Sequence, residues 1–364
     1  MSSDSTLLNG ICPYFTMFRL DFPLRVLKAR ASINDVVLDP FSGRGTTNYA
    51  ARLLGLGSVG IDSNPVATAL TQAKLANADS NGIVAAFREI LEQDDTNIDV
   101  PSGEFWQRAF HEEVLRRLCQ LRCALLQDCE SDERKALRAV IMGALHGPVN
   151  KGNASYFSNQ CTRTYAPKPA YAVRYWRTHS LEPRLVDMGR IISVRASRYY
   201  DGQPPATGLG ILGDSRNAAT YDAIRAHGVK WIITSPPFYG LRTYVPDQWL
   251  RNWFVGGSSE VDYSCSNQLE HSSAERFAAQ LRVVWTNIAD VSSPDALLVV
   301  RFGGISDRTA DPIEILKTSF VGSPWKLNTI KHAGSADIGK RQAQHFGRVR
   351  CAARPEYDVW ARLQ

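Results

Sequence analysis

The sequence predicts an α/β fold, a doubly wound sheet into which a helical, basic subdomain is inserted. Three observations carry this. Short apolar runs at 36–39, 57–62, 209–212, 229–234, 296–302 and 326–331 are separated by helix-like segments or loops, as strands of a mostly parallel sheet are. The first run passes directly into Asp39-Pro40-Phe41-Ser42-Gly43-Arg44-Gly45-Thr46-Thr47, a strand end, a glycine-rich turn and a helix start. Between the second and third runs lies a long stretch without a strand signal that holds the chain's positive charge. The expected organisation is one sheet domain made of residues 1–95 and 205–364, with 96–204 inserted.

Taken in order, Gly43 and Gly45 let the backbone come close to a ligand, and Asp39 ends its strand at the carboxyl edge, where open α/β sheets bind theirs. The next run ends on Asp62, 23 positions later. About twenty residues is the spacing of a carboxylate that takes ribose hydroxyls. Inside the insertion, 106–127 reads as one amphipathic helix through Phe110, Val114, Leu118, Leu121 and Leu125. Ser131, followed by Asp132 and Glu133, reads as the cap and acidic first turn of a second helix reaching Leu145, with Gly147-Pro148 and Gly152 ending it. Residues 201–208, rich in Gly and Pro, are the linker back to the sheet, and a helix is expected over 273–289.

Residues 234–239 read Thr-Ser-Pro-Pro-Phe-Tyr and follow the apolar run Lys230-Trp231-Ile232-Ile233. Two prolines remove two backbone donors and hold φ at about −65°, so the carbonyls beside Ser235 and Pro236 are rigid and have no amide partner of their own. Those acceptors suit a substrate amine, and Phe238 offers a flat face to a base taken out of the helix. An exocyclic amine is a poor nucleophile because its lone pair is delocalised into the ring. Fixed acceptors at the Ser235 hydroxyl and the Pro236 carbonyl, stiffened by Pro237, would draw density back to nitrogen, a preorganised electrostatic contribution.

These residues resemble the S-adenosylmethionine-dependent DNA amino-methyltransferases, in particular the branch that methylates cytosine at N4. In that family an Asp-Pro-Phe-x-Gly-x-Gly-Thr loop cradles the cofactor and a Ser-Pro-Pro-aromatic loop holds the amine; both occur here without a mismatch. The resemblance implies a Rossmann-like methyltransferase sheet, S-adenosylmethionine held by Asp39, Phe41, Gly43, Gly45, Thr46 and Asp62, and catalysis by Ser235, Pro236, Pro237 and Phe238. Tyr14 and Phe15, in 13–18 ahead of the loop, are similar to the family's cofactor-covering segment, and Gly213-Asp214-Ser215 resembles the acidic turn near the adenine, which implies a role for Asp214. Ser235 favours cytosine over adenine in the family. The loop order, cofactor before amine, is the reverse of many N4-cytosine enzymes.

The implied substrate is double-stranded DNA with the target base flipped out, with a cognate restriction endonuclease as a possible companion, and an odd cysteine count without a secretory leader fits a reducing cytoplasm. Adenine N6 is served by the same acceptors. An RNA or tRNA amino-methyltransferase and a non-catalytic nucleic-acid-binding module are the other readings. Residues 151–200 carry nine Lys or Arg against two acids, a local +7 in a chain of +6, interleaved with Tyr156, Phe157, Tyr165, Tyr171, Tyr175, Trp176, Tyr199 and Tyr200. That is a pattern of polyanion grip and base stacking. Within it, Asn159 and Arg163 line a base pocket or tie down a loop. Residues 239–271 supply Tyr239, Arg242 and Tyr244 around the flipped base, with Arg and Gln types that read base edges.

Several chemistries are disfavoured. Carbon-5 methylation needs a thiolate beside proline, and none of Cys12, Cys119, Cys123, Cys129, Cys161, Cys265 and Cys351 follows one. Cys119, Cys123 and Cys129 fall in a helical pattern without a Cys-x-x-Cys pair, so no metal is expected. Ser155, His146 and Asp214 lack a nucleophile elbow, and His146 and His271 read as capping or core-edge histidines. No run of about 18 apolar residues predicts a membrane span.

Overall fold

A computed structural model describes residues 4–14, 18–93, 98–147, 154–159, 168–240, 248–262, 269–304, 310–335 and 355–364. The chain forms two compact units. Met1–Tyr14, Gln72–Pro205 and Tyr244–Cys265 make a helical one; Phe15–Thr71, Ala206–Thr243 and Ser266–Gln364 make the other, which contains the sheet.

The sheet has seven strands: β1 (Val36–Asp39), β2 (Gly57–Asp62), β3 (Thr207–Leu212), β4 (Val229–Thr234), β5 (Ser292–Gly303), β6 (Trp325–Ser335) and β7 (Pro355–Leu363), in the order β3-β2-β1-β4-β5-β7-β6. The contiguous pairs from β3 to β5 are parallel, and β7 runs antiparallel to both β5 and β6. This is the Rossmann-like methyltransferase sheet. From β1 the chain steps outward to β2 and β3, then returns to the other side of β1 as β4 and continues to β5. The winding reverses between β1 and β4, whose carboxyl ends are neighbours, and a crevice at such a reversal is where open sheets bind ligands.

Both faces of the central strands are covered, which is why they read as continuous apolar runs. Val37, Trp231, Ile233 and Val299 pack with Phe22, Val26, Leu27, Ala50 and Ala51 of α1 (Asp21–Arg30) and α2 (Thr46–Leu53). Their alternates Leu38, Ile232, Leu298 and Val300 pack with Phe277, Leu281, Trp285, Ile315 and Leu316 of α11 (Ala274–Ala289) and α12 (Pro312–Phe320). The indole of Trp231 donates to Asp35 Oδ2 at 2.8 Å and that of Trp285 to Ser319 Oγ at 2.9 Å, so neither buried N–H lacks an acceptor. Arg301 on β5 grips Asp358 on β7 through two bonds of 2.8 and 2.9 Å, and its guanidinium lies 3.8 Å from the centre of the Phe22 ring.

Helix α3 (Pro65–Leu75) runs across the boundary between the units, and the helical unit continues with α4 (Ser80–Glu92), α5 (Glu104–Ala109), α6 (Glu112–Gln127), α7 (Asp132–Ala144), α8 (Pro169–Thr178), α9 (Met188–Tyr200) and α10 (Trp249–Phe254). Its edges lie outside the expected 96–204 block for a packing reason. Ile83, Ala86, Phe87 and Ile90 give α4 an apolar face that meets α6, α7 and α9, while Trp249 and Trp253 of α10 pack on Phe105 and Trp106. The expected helix 106–127 is two helices. Phe110 is extended and buried, and His111 starts the second helix by accepting the Glu113 amide on Nδ1. Ser131 caps α7 as expected, accepting from the Arg134 amide at 3.2 Å. No helix among the described residues is long and apolar enough to cross a membrane.

Candidate active site

The glycine-rich loop after β1 is pinned to the end of β2. Ser42 N donates to Ile61 O at 2.9 Å, and Gly43 N donates to Asp62 Oδ2 at 2.8 Å; Asn64 N donates to Asp62 Oδ1 at 2.9 Å. Gly43 and Gly45 have φ of 52° and 72°, in the left-handed region where a side chain is strained. A Cβ on Gly45 would also stand 2.9 Å from Thr71 Cα, so α3 approaches the loop more closely than any other residue type permits. The Thr71 hydroxyl donates to Gly43 O at 3.3 Å and lies 3.2 Å from Ser42 Oγ. Gly60 lies beneath the same loop, where a Cβ would meet Asn48 Oδ1 and Thr71 Cγ2 at 2.7 Å. Helix α2 begins at Thr46, and its first amides are free of intrahelical partners by construction.

Asp39 forms the floor. It is wholly buried, its Oδ1 accepts from Thr234 Oγ1 at 2.6 Å and from Phe41 N at 3.1 Å, and burial pushes its carboxyl up to about 6. Its Oδ2 has no donor in hydrogen-bonding geometry among the described residues, although the Thr47 hydroxyl is near enough to favour the charged form. That hydroxyl donates to Ile233 O at 3.1 Å. The Asp62 carboxyl is likewise raised to about 6 by burial, against the pull of the Asn64 and Gly43 amides.

The Ser-Pro-Pro-Phe loop leaves β4 beside this floor. Ser235 is half-buried and Pro236 buried. Among the described residues nothing donates to the Ser235 or Pro236 carbonyl or pairs with the Ser235 hydroxyl, which leaves the acceptors the sequence predicts. Phe238 is half-buried, edge-on to Phe302 at 5.4 Å, and lies so close to Gly303 that a Cβ there would come within 3.1 Å of the ring. Tyr239 meets Phe277 edge-on at 5.6 Å, and His271 accepts the Gly240 amide at 3.0 Å, capping the turn after the loop.

The turn after β3 supplies a third wall. Gly213 N donates to Asp62 O at 3.0 Å, Ser215 Oγ donates to Pro40 O, and Tyr221 holds Ser215 O at 3.0 Å. Asp214 follows Gly213 directly, but both of its oxygens are bound by Arg216, whose guanidinium holds the carboxyl below the usual carboxylate range. Thus the backbone and Ser215, rather than a free Asp214 carboxylate, attach this turn to the cofactor loop.

The remaining expected residues are placed as follows. Tyr14 belongs to the helical unit and is half-buried. Asn159, also in that unit, gives its side-chain amide to Arg108 O at 3.2 Å and Leu181 O at 3.1 Å, the loop-tying role of the two considered. Phe15, Arg163, Arg242 and Tyr244 lie outside the described residues. His146 Nδ1 pairs with Ser158 Oγ at 2.8 Å. Burial pushes the Cys119 thiol up to about 12. Thr234, Thr47 and Ser215 stand inside the motif stretches without an expected role, and Thr71 outside them, yet their hydroxyls tie these loops together; the signal available for Thr234 was a hydroxyl residue ending an apolar strand directly before Ser235.

Comparison with known proteins finds similarity in the segment that contains the glycine-rich loop. The profile of the family described as DNA methylase, of the N6/N4 methyltransferases, matches residues 5–73. The type II methyltransferase M.MjaII of Methanocaldococcus jannaschii is 33% identical over 72 residues, which is 20% of this chain and 14% of that protein. The type II methyltransferase M.BsoBI of Geobacillus stearothermophilus is 37% identical over 70 residues, 19% of this chain and 14% of that protein. The similarity is confined to this segment, and the chain spans about a seventh of each of these two relatives' length. Among solved structures, the rRNA methyltransferase aviRa of Streptomyces viridochromogenes aligns over 99% of this chain and 92% of its own, at a TM-score of 0.37 and 13% identity. The matched stretch of this chain contains β1, the loop and β2.

Similarity to that family over this segment, together with the sheet order, implies S-adenosylmethionine as methyl donor. The residues present fit that group. Asp39 Oδ2 is a buried acceptor without a donor, suited to an ammonium; the amides at the start of α2 suit a carboxylate; and the Asp62 oxygens, each holding one amide, keep lone pairs for ribose hydroxyls.

Proposed function

We propose that the protein transfers a methyl group from S-adenosylmethionine to the N4 amine of cytosine in double-stranded DNA, directly and on a flipped base. The observation that carries this reading is the juxtaposition at the winding reversal. The amine loop leaves β4 and the cofactor loop leaves β1, and Thr234 at the head of one is bonded to Asp39 at the head of the other. Bound S-adenosylmethionine supplies a sulfonium methyl at this edge. Ser235 Oγ and the Pro236 carbonyl accept the two amine hydrogens and favour a pyramidal nitrogen, and Phe238, braced by Phe302, stacks on the base. Tyr239 continues the aromatic wall, and Arg242, Tyr244 and Arg163 are proposed as further contacts around the base. A cognate restriction endonuclease is proposed as its companion.

The test is incubation with S-adenosylmethionine and unmethylated genomic DNA, with RNA in parallel, followed by nucleoside digestion and mass spectrometry. N4-methylcytosine in DNA is expected, falling by about 100-fold in Ser235→Ala as for loss of one preorganised polar contact. N6-methyladenine as the product would keep the mechanism and overturn the base; methylated RNA alone would overturn the substrate.

The grip on DNA is assigned to the exposed cations of the basic stretch, Lys168, Arg174, Arg184, Arg190 and Arg198. Its aromatics contribute less than their interleaving suggests, since Phe157, Trp176 and Tyr200 are buried and Tyr156 lies under Arg195 at 4.8 Å. Replacing Arg174 and Arg190 together with Ala should weaken binding alike on all sequences and reduce the slope of log K against log salt by about 2, read by fluorescence anisotropy over a salt series. An unchanged slope would remove those residues from the interface.

A further inference from the structure

The strongest unassigned feature of the site is Thr234, the residue directly before Ser235. It closes β4, is wholly buried, and gives its hydroxyl to Asp39 Oδ1 at 2.6 Å. Resting on the transfer reading above, we infer that Thr234 is a positioning residue for the reaction: its bond to Asp39 fixes the amine loop to the floor of the cofactor loop, so that one buried hydrogen bond sets acceptor and donor relative to each other.

Packing alone does not call for a hydroxyl here. Valine has nearly the same shape, prefers a buried strand at least as well, and has no hydroxyl to desolvate. Nor does the fold need this bond to hold the strand, because β4 is already paired with β1 and β5 and its Ile233 carbonyl is taken by Thr47 of α2. What the bond does is local. It joins the last residue before Ser235 to the first residue of the glycine-rich loop.

The bond also bears on the charge on Asp39, whose carboxyl burial raises and this bond partly lowers again. The groups acting on that carboxyl are Thr234 on β4, Thr47 on α2, the Phe41 amide in its own loop and the Asp62 carboxylate on β2. Of the hydrogen bonds that favour the ionised form, the one from Thr234 has the largest effect. Without it, Asp39 would keep one backbone donor on Oδ1 and none in bonding geometry on Oδ2, and its protonated form would persist to higher pH. A neutral Asp39 no longer attracts a cationic cofactor, so positioning and cofactor charge are linked through the same hydroxyl.

The experiment compares full-length wild type, Thr234→Val and Thr234→Ser, measuring S-adenosylmethionine binding by calorimetry across pH and methyl transfer to DNA at saturating cofactor. Thr234→Val is expected to lower kcat by about 100-fold, the scale of a misplacement of about 1 Å, and to move the acid limb of cofactor binding to higher pH. Thr234→Ser, which keeps the hydroxyl, should restore both to within about 2-fold of wild type. Thr234→Ala takes the place of the valine variant if that variant does not fold. Wild-type kcat and an unmoved limb without the hydroxyl would overturn the inference, as would a serine variant no better than valine. A wild-type protein that binds cofactor yet methylates no DNA would instead overturn the proposed function, while the position of the binding limb would still decide whether Thr234 controls Asp39.

Discussion

Asp62→Ala is expected to weaken S-adenosylmethionine binding by on the order of 1,000-fold, to the point where calorimetry detects none. Two losses combine. The carboxylate is proposed to accept two ribose hydroxyls, and hydrogen bonds to a charged group contribute about 1.5–3 kcal/mol each. It also holds the loop, since Gly43 N and Asn64 N both end on its oxygens, and both amides would lose their acceptor. Gly43 has φ of 52° without any side-chain penalty, so the released loop has other conformations to enter. Asp62→Asn separates the two effects: its carbonyl oxygen keeps one amide while its NH2 repels the other, and an intermediate affinity is expected. Retention of affinity within about 3-fold in the alanine variant would show that this carboxylate does not bind the ribose.

Cofactor affinity should rise steeply with pH through about 6, by about 100-fold between pH 5 and pH 7. Burial raises both Asp39 and Asp62 to about 6, well above the ordinary carboxylate value. A group at about 6 is about one-tenth ionised at pH 5 and about nine-tenths at pH 7, which gives about 10-fold per carboxyl if binding needs both charged. The effect on stability has the opposite sign. A carboxyl whose folded pKa lies above its unfolded one favours folding at low pH, and that contribution fades as pH rises from about 4 through about 6. The protein without cofactor should therefore lose thermal stability from these two groups over the window in which it gains affinity. Parallel titrations of melting temperature and S-adenosylmethionine binding check both signs, and a binding curve flat from pH 5 to pH 7 would rule out the two carboxyls as its charged partners.

Much of the site was legible because its parts are local. The strand, Gly43-x-Gly45 turn and helix start are contiguous, and glycine at both positions permits the left-handed backbone found there. The acceptors at Ser235 and Pro236 follow from two adjacent prolines in the same way. Strands buried on both faces announce themselves as apolar runs, so β1, β2, β4 and β5 were readable. Strand β7 was not, because Glu356 and Asp358 interrupt its apolar pattern, and the pairing of Asp358 with Arg301 and Arg25 is what makes that acid tolerable there. The break at Phe110 and His111 was hidden for a related reason: an apolar residue at helical spacing reads the same whether its backbone is helical or extended.

The sequence by itself determined the local features on which the proposed function rests: a glycine-rich loop after a strand, two rigid carbonyl acceptors, and a basic stretch. Each depends on residues within one turn or one loop of each other, where covalent geometry dictates the outcome. Tertiary structure alone decided which groups are free and which are occupied. Asp214 is neutralised by Arg216, Asn159 is taken up by two carbonyls, and Asp39 is held by Thr234, 195 positions away. Burial raises the two carboxyls in the same nonlocal manner. Hydrogen-bond partners and desolvation depend on what the sheet order brings alongside, and no spacing along the chain encodes that.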